Sequence, residues 1–235
     1  MVIIPARLSS TRFAQKVLYP IMGIPMVVLV ARQALQVDDV VVAADDERIV
    51  QACQTYNIRA ILTQKTHPSG TDRLAEATEI LGLSDDSIVV NVQGDEPFIE
   101  PEIIHAVRDL LAQTPSASIA SAFRTIDSTQ AQDSNFVKVV IDKDNFALYF
   151  SRSPIPHGAE TYYGHLGIYA YRVSYLRRFC ALAPAPLEQT ERLEQLRALY
   201  YGAKIAMAQV QSDSFGIDTE EDLQRALQMR QKEGW

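Results

Sequence analysis

Short segments made almost entirely of apolar residues constrain the fold of this chain more than any other feature. Three of them span residues 2–5, 39–44 and 87–92, and all are shorter than a typical helix. A strand that is apolar at successive positions is buried on both faces, as in a parallel sheet covered by helices. Segments with helical spacing follow these strands, for instance at residues 25–35 and 71–81. This alternation predicts an α/β fold with a mostly parallel central sheet.

The second half of the chain has a different character. Its predicted strands are richer in β-branched and aromatic residues, which favours mixed strands added to the parallel sheet. The pattern also predicts one long helix over residues 187–200 and a closing helix over residues 219–228, capped by Asp218 or Thr219. The remaining predicted elements are helices at residues 46–56 and 101–111 and strands at residues 60–62, 118–123, 137–141, 147–150, 167–172 and 204–210.

Composition and charge narrow the possible functions. The 235 residues include 47% hydrophobic and 22% charged residues, as in ordinary globular proteins. The net charge of −7 argues against nucleic acid as a partner. No apolar segment approaches the ~20 residues that span a bilayer, and no signal peptide is recognisable, so we expect a cytoplasmic protein without membrane insertion. The two cysteines, Cys53 and Cys180, suit a reducing compartment.

The loop after the first predicted strand carries three cations in an otherwise acidic chain. Arg7, Arg12 and Lys16 are separated in part by the small hydroxyl residues 9–11. Guanidinium, ammonium and backbone N–H groups together are well suited to hold several phosphate groups. In a parallel sheet the carboxyl ends of the strands meet at one edge, where ligands bind. We therefore predict a polyphosphate site at this end of the first strand.

A carboxylate follows another buried strand at the same predicted edge. Gln93, Gly94 and Asp95 come at the end of the apolar run 87–92, and Gly94 allows a close approach of two backbones. Asp95 would repel a bare phosphate, so its place near the cationic loop is explained if a divalent cation lies between them. Mg²⁺ commonly binds one or two carboxylates together with substrate phosphates. Asp218 becomes a second metal ligand if the fold returns the C-terminal segment to this edge.

A helix start near residue 70 offers a further binding element. Ser69, Gly70 and Thr71 form a turn with hydroxyl and backbone donors suited to a base or a sugar, and Ser69 or Thr71 can cap the helix. Arg73 lies in the first helical turn, where a cation interacts unfavourably with the helix dipole. This position favours an interaction of Arg73 with an anion, and an ion pair with a nearby glutamate is the alternative.

Taken together, these segments resemble the 3-deoxy-manno-octulosonate cytidylyltransferases, the CMP-Kdo synthetases of Gram-negative bacteria. The resemblance covers essentially the whole chain and rests on the order of several motifs, among them IIPARLSSTR, HPSGTDRLAEA, VVNVQGDEPFI, HLGIY, LEQLR and GIDT. It implies a Rossmann-like nucleotide-diphospho-sugar transferase fold and an Mg²⁺-dependent nucleotidyltransferase. Such an enzyme couples CTP to 3-deoxy-D-manno-octulosonate (Kdo), releases pyrophosphate and supplies CMP-Kdo for lipopolysaccharide biosynthesis.

The resemblance also implies an organisation of the chain and of its assembly. We expect a single domain over residues 1–235, with a nucleotide-binding part at about 1–115 and a sugar-binding and dimerisation part at about 116–235. We further expect the protein to be a homodimer.

The resemblance implies roles for individual residues as well. The expected nucleotide-binding residues are Ala6, Arg7, Thr11, Arg12, Lys16, Ser69, Gly70 and Gln93. The expected Mg²⁺ ligands are Asp95 and Asp218, which form the expected catalytic group with Arg7 and Lys16. The expected sugar-binding residues are Arg73, Arg152, His165, Tyr169, Glu194 and Gln195. Kdo is an acid with many hydroxyl groups, which matches these cations, amides and carboxylates.

The chain departs from the family pattern in its first loop. Family members commonly have Pro-Gly just before the loop lysine, whereas this chain has Phe13, Ala14 and Gln15 before Lys16. Replacing a glycine and a proline changes the stiffness of the loop.

Other functions stay open on the sequence. A cytidylyltransferase for another acidic sugar, such as a sialic or pseudaminic acid, would share the first loop. A nucleotide-binding regulator without catalysis is the alternative of another class, and the presence of both Asp95 and Asp218 argues against it. A dinucleotide-dependent dehydrogenase is disfavoured, because no Gly-x-Gly-x-x-Gly motif follows the first strand.

Overall fold

A computed structural model describes residues 1–9, 13–212 and 214–232 of this chain, with side chains as far as residue 229. The strands, in chain order, are β1 (Val2–Ala6), β2 (Pro20–Ile21), β3 (Ile24–Pro25), β4 (Val40–Ala44), β5 (Ala60–Leu62), β6 (Ile88–Asn91), β7 (Ile119–Ile126), β8 (Lys138–Ile141), β9 (Ala147–Ser151), β10 (Tyr162–Arg172) and β11 (Ile205–Gln209). The helices are α1 (Met26–Ala34), α2 (Glu47–Thr55), α3 (Gly70–Ile80), α4 (Pro101–Gln113), α5 (Ser128–Gln132), α6 (Val173–Cys180), α7 (Pro186–Glu191), α8 (Gln195–Tyr200) and α9 (Glu220–Lys232).

The chain folds into two compact units that interleave along the sequence. The first unit contains Met1–Gly82, Asn91–Pro101 and the C-terminal segment, and the second contains Leu83–Val90 and Glu102–Ser212. Because the C-terminal segment returns to the first unit, these units do not divide near residue 115. The number of domains stays a prediction.

The first unit contains the parallel strands predicted from the apolar runs. Strands β1, β4 and β5 pair in parallel, with Val2 opposite Val40 and Val42 opposite Ala60. Every residue of β1 and β4 is buried, as expected for strands covered on both faces. Helices α1, α2 and α3 pack against β4 and provide this cover.

The second unit contains the mixed strands. Strand β10 pairs antiparallel with β7 and β8, β8 pairs antiparallel with β9, and β11 pairs parallel with β7. The register of β10 against β7 shifts between Leu166 and Tyr169. The chain is therefore an α/β protein with a mostly parallel central sheet and some antiparallel strands, which confirms the predicted fold class.

The prediction of one long helix over residues 187–200 is wrong. The segment forms the two short helices α7 and α8, because Arg192 adopts a left-handed backbone conformation with φ 54° and ψ 47°. The N–H group of Leu193 donates to the carbonyl of Glu188 at 3.2 Å and closes the first of them. Leu193 and Leu196 are both buried, so the apolar spacing that predicted a helix still marks the inner side of the segment.

Three further differences concern the second unit. Strand β10 begins at Tyr162, five residues before the predicted start, and the short helices α5 and α6 were not predicted. Helix α6 buries Val173, Leu176 and Phe179, a three-residue spacing that is visible in the sequence. Among the helices of the described residues, none is both long and apolar enough to cross a membrane.

Candidate functional site

The end of β1 meets the segment after β6 inside the first unit. The N–H group of Val92 donates to the carbonyl of Ile3 at 3.4 Å. A Cβ atom added to Gly94 would lie 3.1 Å from the carbonyl oxygen of Pro5, which is tighter than most real contacts. A glycine is therefore favoured at this close approach, and the two strand ends share one edge as predicted.

At this edge Lys16 joins the two predicted metal ligands. Its Nζ lies 2.6 Å from Asp95 Oδ2 and 2.8 Å from Asp218 Oδ1. Burial lowers the pKa of Lys16, but the charges and hydrogen bonds of the two carboxylates together outweigh it, so the net shift of its pKa is upward. The side chain is 11% exposed. Two carboxylates thus hold one ammonium group at the point where the sequence predicts a cation.

The loop before Lys16 is anchored by apolar packing. Phe13 belongs to a buried cluster with Ile21, Phe98 and Ile217. Gln15 has φ 51° and ψ 33°, a left-handed conformation that glycine adopts at lower cost, and a short 3₁₀ helix begins at Lys16. The chain therefore reaches Lys16 without the Pro-Gly that is usual in the family.

The C-terminal segment reaches the same edge through Ile217 and Asp218. The N–H group of Ile217 donates to the carbonyl of Asp95 at 2.9 Å, and the Ile217 side chain is fully buried. Thr219 Oγ1 accepts from the N–H group of Asp222 at 3.1 Å, while the carboxylate of Asp222 accepts from the N–H group of Thr219 at 2.9 Å. Thr219 therefore caps α9, and the carboxylate of Asp218 is turned toward Lys16.

Of the predicted nucleotide-binding residues, Thr11 and Arg12 lie outside the described residues. Ala6 ends β1 and is buried, whereas Arg7 is exposed directly after it. Ser69 caps α3 by accepting from the N–H group of Asp72 at 3.2 Å, which confirms one of the two predicted caps. Gln93 and Ser69 are half-buried and Gly70 is exposed. Their predicted contacts with a nucleotide stay predictions.

Glu96 is an unusual carboxyl group beside this cluster. Burial, together with the negative charges of Asp95 and Glu100, raises the pKa of Glu96 to about 8. A carboxyl group with such a pKa is mostly protonated at neutral pH.

This shift makes a prediction about stability and pH. A pKa raised in the folded protein means that protonated Glu96 stabilises it; the contribution is complete below about pH 4.5 and is lost as the pH rises through about 8. We therefore expect Glu96→Gln to resist thermal unfolding better than the unaltered protein at high pH. Its melting temperature should also depend less on pH between about pH 4.5 and about pH 8. Melting temperatures measured in steps of pH test this. The exposed Glu102→Gln is the control, and parallel curves for both variants would contradict the assignment.

The predicted sugar-binding residues fall mostly in the second unit. His165 and Tyr169 lie on β10, with ring centres 5.4 Å apart, and the His165 ring is 4.9 Å from that of Phe150. Arg73 differs from the rest of the set, because it lies in the first unit.

Arg152 is held mainly by the last residue of α7, Glu191. Its Nε donates to the carbonyl of Glu191 at 2.9 Å, and one terminal nitrogen donates to the carbonyl of Ser134 at 3.0 Å. The carboxylate of Glu191 in turn accepts from Ser151 Oγ at 2.7 Å and from the N–H group of Arg152 at 2.9 Å. The fully buried Lys138 donates to the carbonyl of Arg152 at 2.5 Å. The first residue after β9 is thus held by several hydrogen bonds.

Glu194 and Gln195 differ in exposure, as expected for successive positions of a helix start. Gln195 is buried, whereas Glu194 is half-buried and has a carboxylate oxygen 4.0 Å from Arg197. The contacts of these residues with a sugar stay predictions.

Hydrogen bonding specifies the state of His165. Ser121 Oγ donates to the carbonyl of Ile168 at 2.8 Å and lies 2.9 Å from His165 Nε2. Because the hydroxyl has one proton and the carbonyl of Ile168 can only accept, this arrangement favours the tautomer in which Nε2 donates to Ser121. Burial also lowers the pKa of His165 to about 3, so the ring is neutral. Among the described residues no hydrogen bond is made to Nδ1, which is therefore an available acceptor.

We expect the neutral Nε2–H form of His165 to dominate between about pH 5 and 8. Long-range proton–nitrogen NMR spectra distinguish it from the other tautomer and from the charged ring, with His165→Gln used to assign the signals. Ser121→Ala removes the acceptor and should raise the share of the Nδ1–H form. A charged His165 ring at about pH 6 would show that this assignment is wrong.

Two polar residues, Asp45 and Ser121, were missed by sequence reasoning. Asp45 follows β4 directly, so it carries the same signal that singled out Asp95, a carboxylate at the end of an apolar strand. Ser121 is a fully buried polar residue within the apolar β7.

Comparisons with known proteins show the family of this chain. The family model described as Cytidylyltransferase matches residues 1–205. A 3-deoxy-manno-octulosonate cytidylyltransferase of Wolinella succinogenes is 50% identical over 97% of this chain and 98% of its own length. A solved CMP:2-keto-3-deoxy-manno-octonic acid synthetase complexed with CTP is 38% identical, with a TM-score of 0.93 over 99% of this chain and 98% of that one. A solved cytidylyltransferase of Leptospira borgpetersenii shares the fold, with 16% identity and a TM-score of 0.63 over 94% of this chain and 82% of its own. The chain therefore belongs to the cytidylyltransferase family and, within it, to the 3-deoxy-manno-octulosonate cytidylyltransferases.

Proposed function

We propose that this protein transfers CMP from CTP to the anomeric hydroxyl group of Kdo, releasing pyrophosphate and giving CMP-Kdo for lipopolysaccharide biosynthesis. The observation that carries this proposal is the cluster of Lys16, Asp95 and Asp218. This cluster places one ammonium group and two carboxylates at a strand edge. The chain is also 50% identical to a 3-deoxy-manno-octulosonate cytidylyltransferase.

The triphosphate of CTP is the ligand that suits the cations of the first loop. Arg7 is exposed at the end of β1, and Lys16 lies at the other end of the loop. Positive charge at both ends of the loop lowers the energy of bound phosphates and of the departing pyrophosphate. Arg12 is assigned to the same task by its place in the cationic loop and by the resemblance.

Asp95 and Asp218 fit a divalent cation. Both carboxylates already hold a positive group, and their hard oxygen atoms suit Mg²⁺, which binds few protein carboxylates when phosphates complete its shell. Among the described residues there is no cluster of three or more histidine, cysteine or acidic side chains that would hold a metal without a substrate. When bound, Mg²⁺ would neutralise charge on the α-phosphate and favour ionisation of the attacking hydroxyl group.

For the sugar acid, the second unit offers groups of two kinds. A cation such as Arg152 suits the carboxylate, while neutral His165, with its available Nδ1, suits a hydroxyl donor. Because burial lowers the pKa of His165 to about 3, this side chain suits a hydroxyl group of the sugar better than its carboxylate.

The transfer requires no covalent intermediate with the protein. The hydroxyl oxygen of Kdo attacks the α-phosphorus, and its proton passes to water. The bond from the α-phosphorus to the bridging oxygen breaks in line, and pyrophosphate leaves with that electron pair. Cys53 is fully buried, and burial raises its pKa to about 11, which makes it a poor nucleophile. Positioning of both substrates and neutralisation of charge supply the rate.

Pyrophosphate release tests the proposal. The protein is incubated with CTP, Mg²⁺ and either Kdo or N-acetylneuraminic acid, with and without EDTA. Release with Kdo alone, abolished by EDTA, would support both the substrate and the metal. Release only with the nine-carbon sugar would favour a cytidylyltransferase for another acidic sugar, and CTP binding without release would favour a catalytically silent nucleotide-binding protein.

We also propose that the protein is a homodimer that acts in the cytoplasm, as the family resemblance implies. Sedimentation velocity at micromolar concentration tests the assembly, and cell fractionation tests the location. A single monomer boundary would exclude the dimer under those conditions.

A further inference from the structure

A buried polar network connects the ends of β1, β4 and β5 in the first unit. Its members are Asp45, Thr63 and Arg73, with 7%, 5% and 3% of their surface exposed. Arg73 Nη1 donates to Thr63 Oγ1 at 2.6 Å and to the carbonyl of Gln64 at 3.1 Å. Arg73 Nη2 lies 3.8 Å from Asp45 Oδ2. The catalytic scheme above uses none of these contacts.

Thr63 determines which groups donate and which accept in this network. Its hydroxyl group donates to the carbonyl of Ala44 at 2.8 Å, so its oxygen is left to accept from Arg73. The backbone N–H group of Thr63 donates to the same carbonyl. Arg73 is thereby fixed relative to the ends of β4 and β5, with its charge beside Asp45.

Asp45 connects the network to the first loop and forms hydrogen bonds with the residues on both sides of Arg7. Its backbone N–H group donates to the carbonyl of Ala6 at 3.1 Å, and its carboxylate accepts from the N–H group of Leu8 at 2.8 Å. The residues on both sides of Arg7 are therefore bonded to one residue. An aspartate this deeply buried needs a counter-charge, and Arg73 supplies it.

We propose that Asp45 is a positioning residue that sets the direction in which Arg7 leaves β1, and that Arg73 acts through Asp45 rather than by contact with the sugar acid. The inference rests on the proposed function for one point, that Arg7 binds the triphosphate. It differs from the role in the sugar site that the resemblance implies for Arg73.

Exchange of the Leu8 amide hydrogen tests the structural part without any nucleotide. Asp45→Ala removes the acceptor and should speed this exchange by about tenfold, the scale of one hydrogen bond. Asp45→Asn keeps an oxygen that can accept, so it should retain most of the protection even if the loss of charge lowers stability. Asp38→Asn is the matched control, since Asp38 holds the N-terminal amine at the other end of β1 at 2.8 Å.

CTP binding and steady-state kinetics test the functional part. We expect Asp45→Ala to weaken CTP binding by about tenfold with an unchanged KM for Kdo, and Asp45→Asn and Asp38→Asn to bind CTP within about threefold of the unaltered protein. Arg73→Lys and Thr63→Val should also weaken CTP binding. Thr63→Val buries no unpaired charge, so it serves if Asp45→Ala does not fold.

Each outcome decides the proposal. Normal CTP binding by a folded Asp45→Ala protein, or by Thr63→Val if the alanine variant does not fold, would overturn the positioning role. An increased KM for Kdo with normal CTP binding in Arg73→Lys would assign Arg73 to the sugar site instead. If the unaltered protein binds no CTP, the proposed function fails, and the Leu8 exchange rates still decide whether Asp45 holds the loop.

Discussion

Replacing Asp95 by asparagine is expected to lower turnover by about 10²–10³-fold, the scale of losing one electrostatic contact at a reacting centre. Asparagine keeps the size and one oxygen atom of the side chain but removes the charge that would hold a divalent cation against the α-phosphate. Asp95 is 28% exposed and Lys16 keeps Asp218 as a partner, so the loss of stability should be about 1 kcal/mol or less. Pyrophosphate release and a thermal melt of the same sample separate the two effects.

The control for this prediction is a surface aspartate with a similar neighbour. Asp109 pairs with Arg108 at 2.9 Å and is 51% exposed, so Asp109→Asn should leave turnover unchanged. Normal turnover by Asp95→Asn would exclude Asp95 as a metal ligand. A melt that drops as far as the activity would make its role structural.

Replacing Lys16 by methionine is expected to have opposite effects on catalysis and on metal binding. Turnover should fall by about 10²–10³-fold, because a cation of the triphosphate site is lost. The carboxylates of Asp95 and Asp218 would then face each other without their shared ammonium group, which lowers the stability of the metal-free protein. Mg²⁺ no longer competes with that group, so its affinity without CTP should rise by about tenfold or more.

Thermal shift measured over a range of MgCl₂ tests this second prediction without any assay of activity. Choline chloride at equal ionic strength separates specific binding from screening. Lys65→Met is the matched control, because Lys65 is 71% exposed and pairs with Asp46. An Mg²⁺ response equal to that of the unaltered protein would show that the two carboxylates do not form the metal site.

Local sequence was sufficient to predict features that depend on the residues of a single segment. The ends of the buried strands β1, β4 and β6 were predicted to within two residues. A short run of successive apolar residues is typical of a strand that is buried on both faces. Ser69 or Thr71 was predicted to cap α3, because a hydroxyl side chain before a helical pattern satisfies free N–H groups of the helix start, and Ser69 is the cap. Gly94 was predicted at a close backbone approach, which the distance to Pro5 explains.

Two features of the structure could not be predicted from local sequence. The helical spacing of residues 187–200 is real, yet Arg192 breaks the helix, and Arg152 binds the carbonyl of Glu191 beside the break. Helix spacing reports which side chains are buried and not whether the backbone between them is continuous. Arg73 is a similar case, since its place in the helix predicted an anion but not that the anion would be the buried Asp45.

The pattern of residues was enough to predict the α/β fold, the chemistry of the loops and, through the order of the motifs, the family. The folded chain was needed to see that Lys16 lies between Asp95 and Asp218, which are 79 and 202 positions away along the chain. It was also needed to see that Asp45 is bonded to the residues on both sides of Arg7 and that Ser121 favours one tautomer of His165. The physical reason is that residue type limits what a side chain can bind, whereas hydrogen bonds and charges act over a few ångströms and depend on the packing that brings distant segments together.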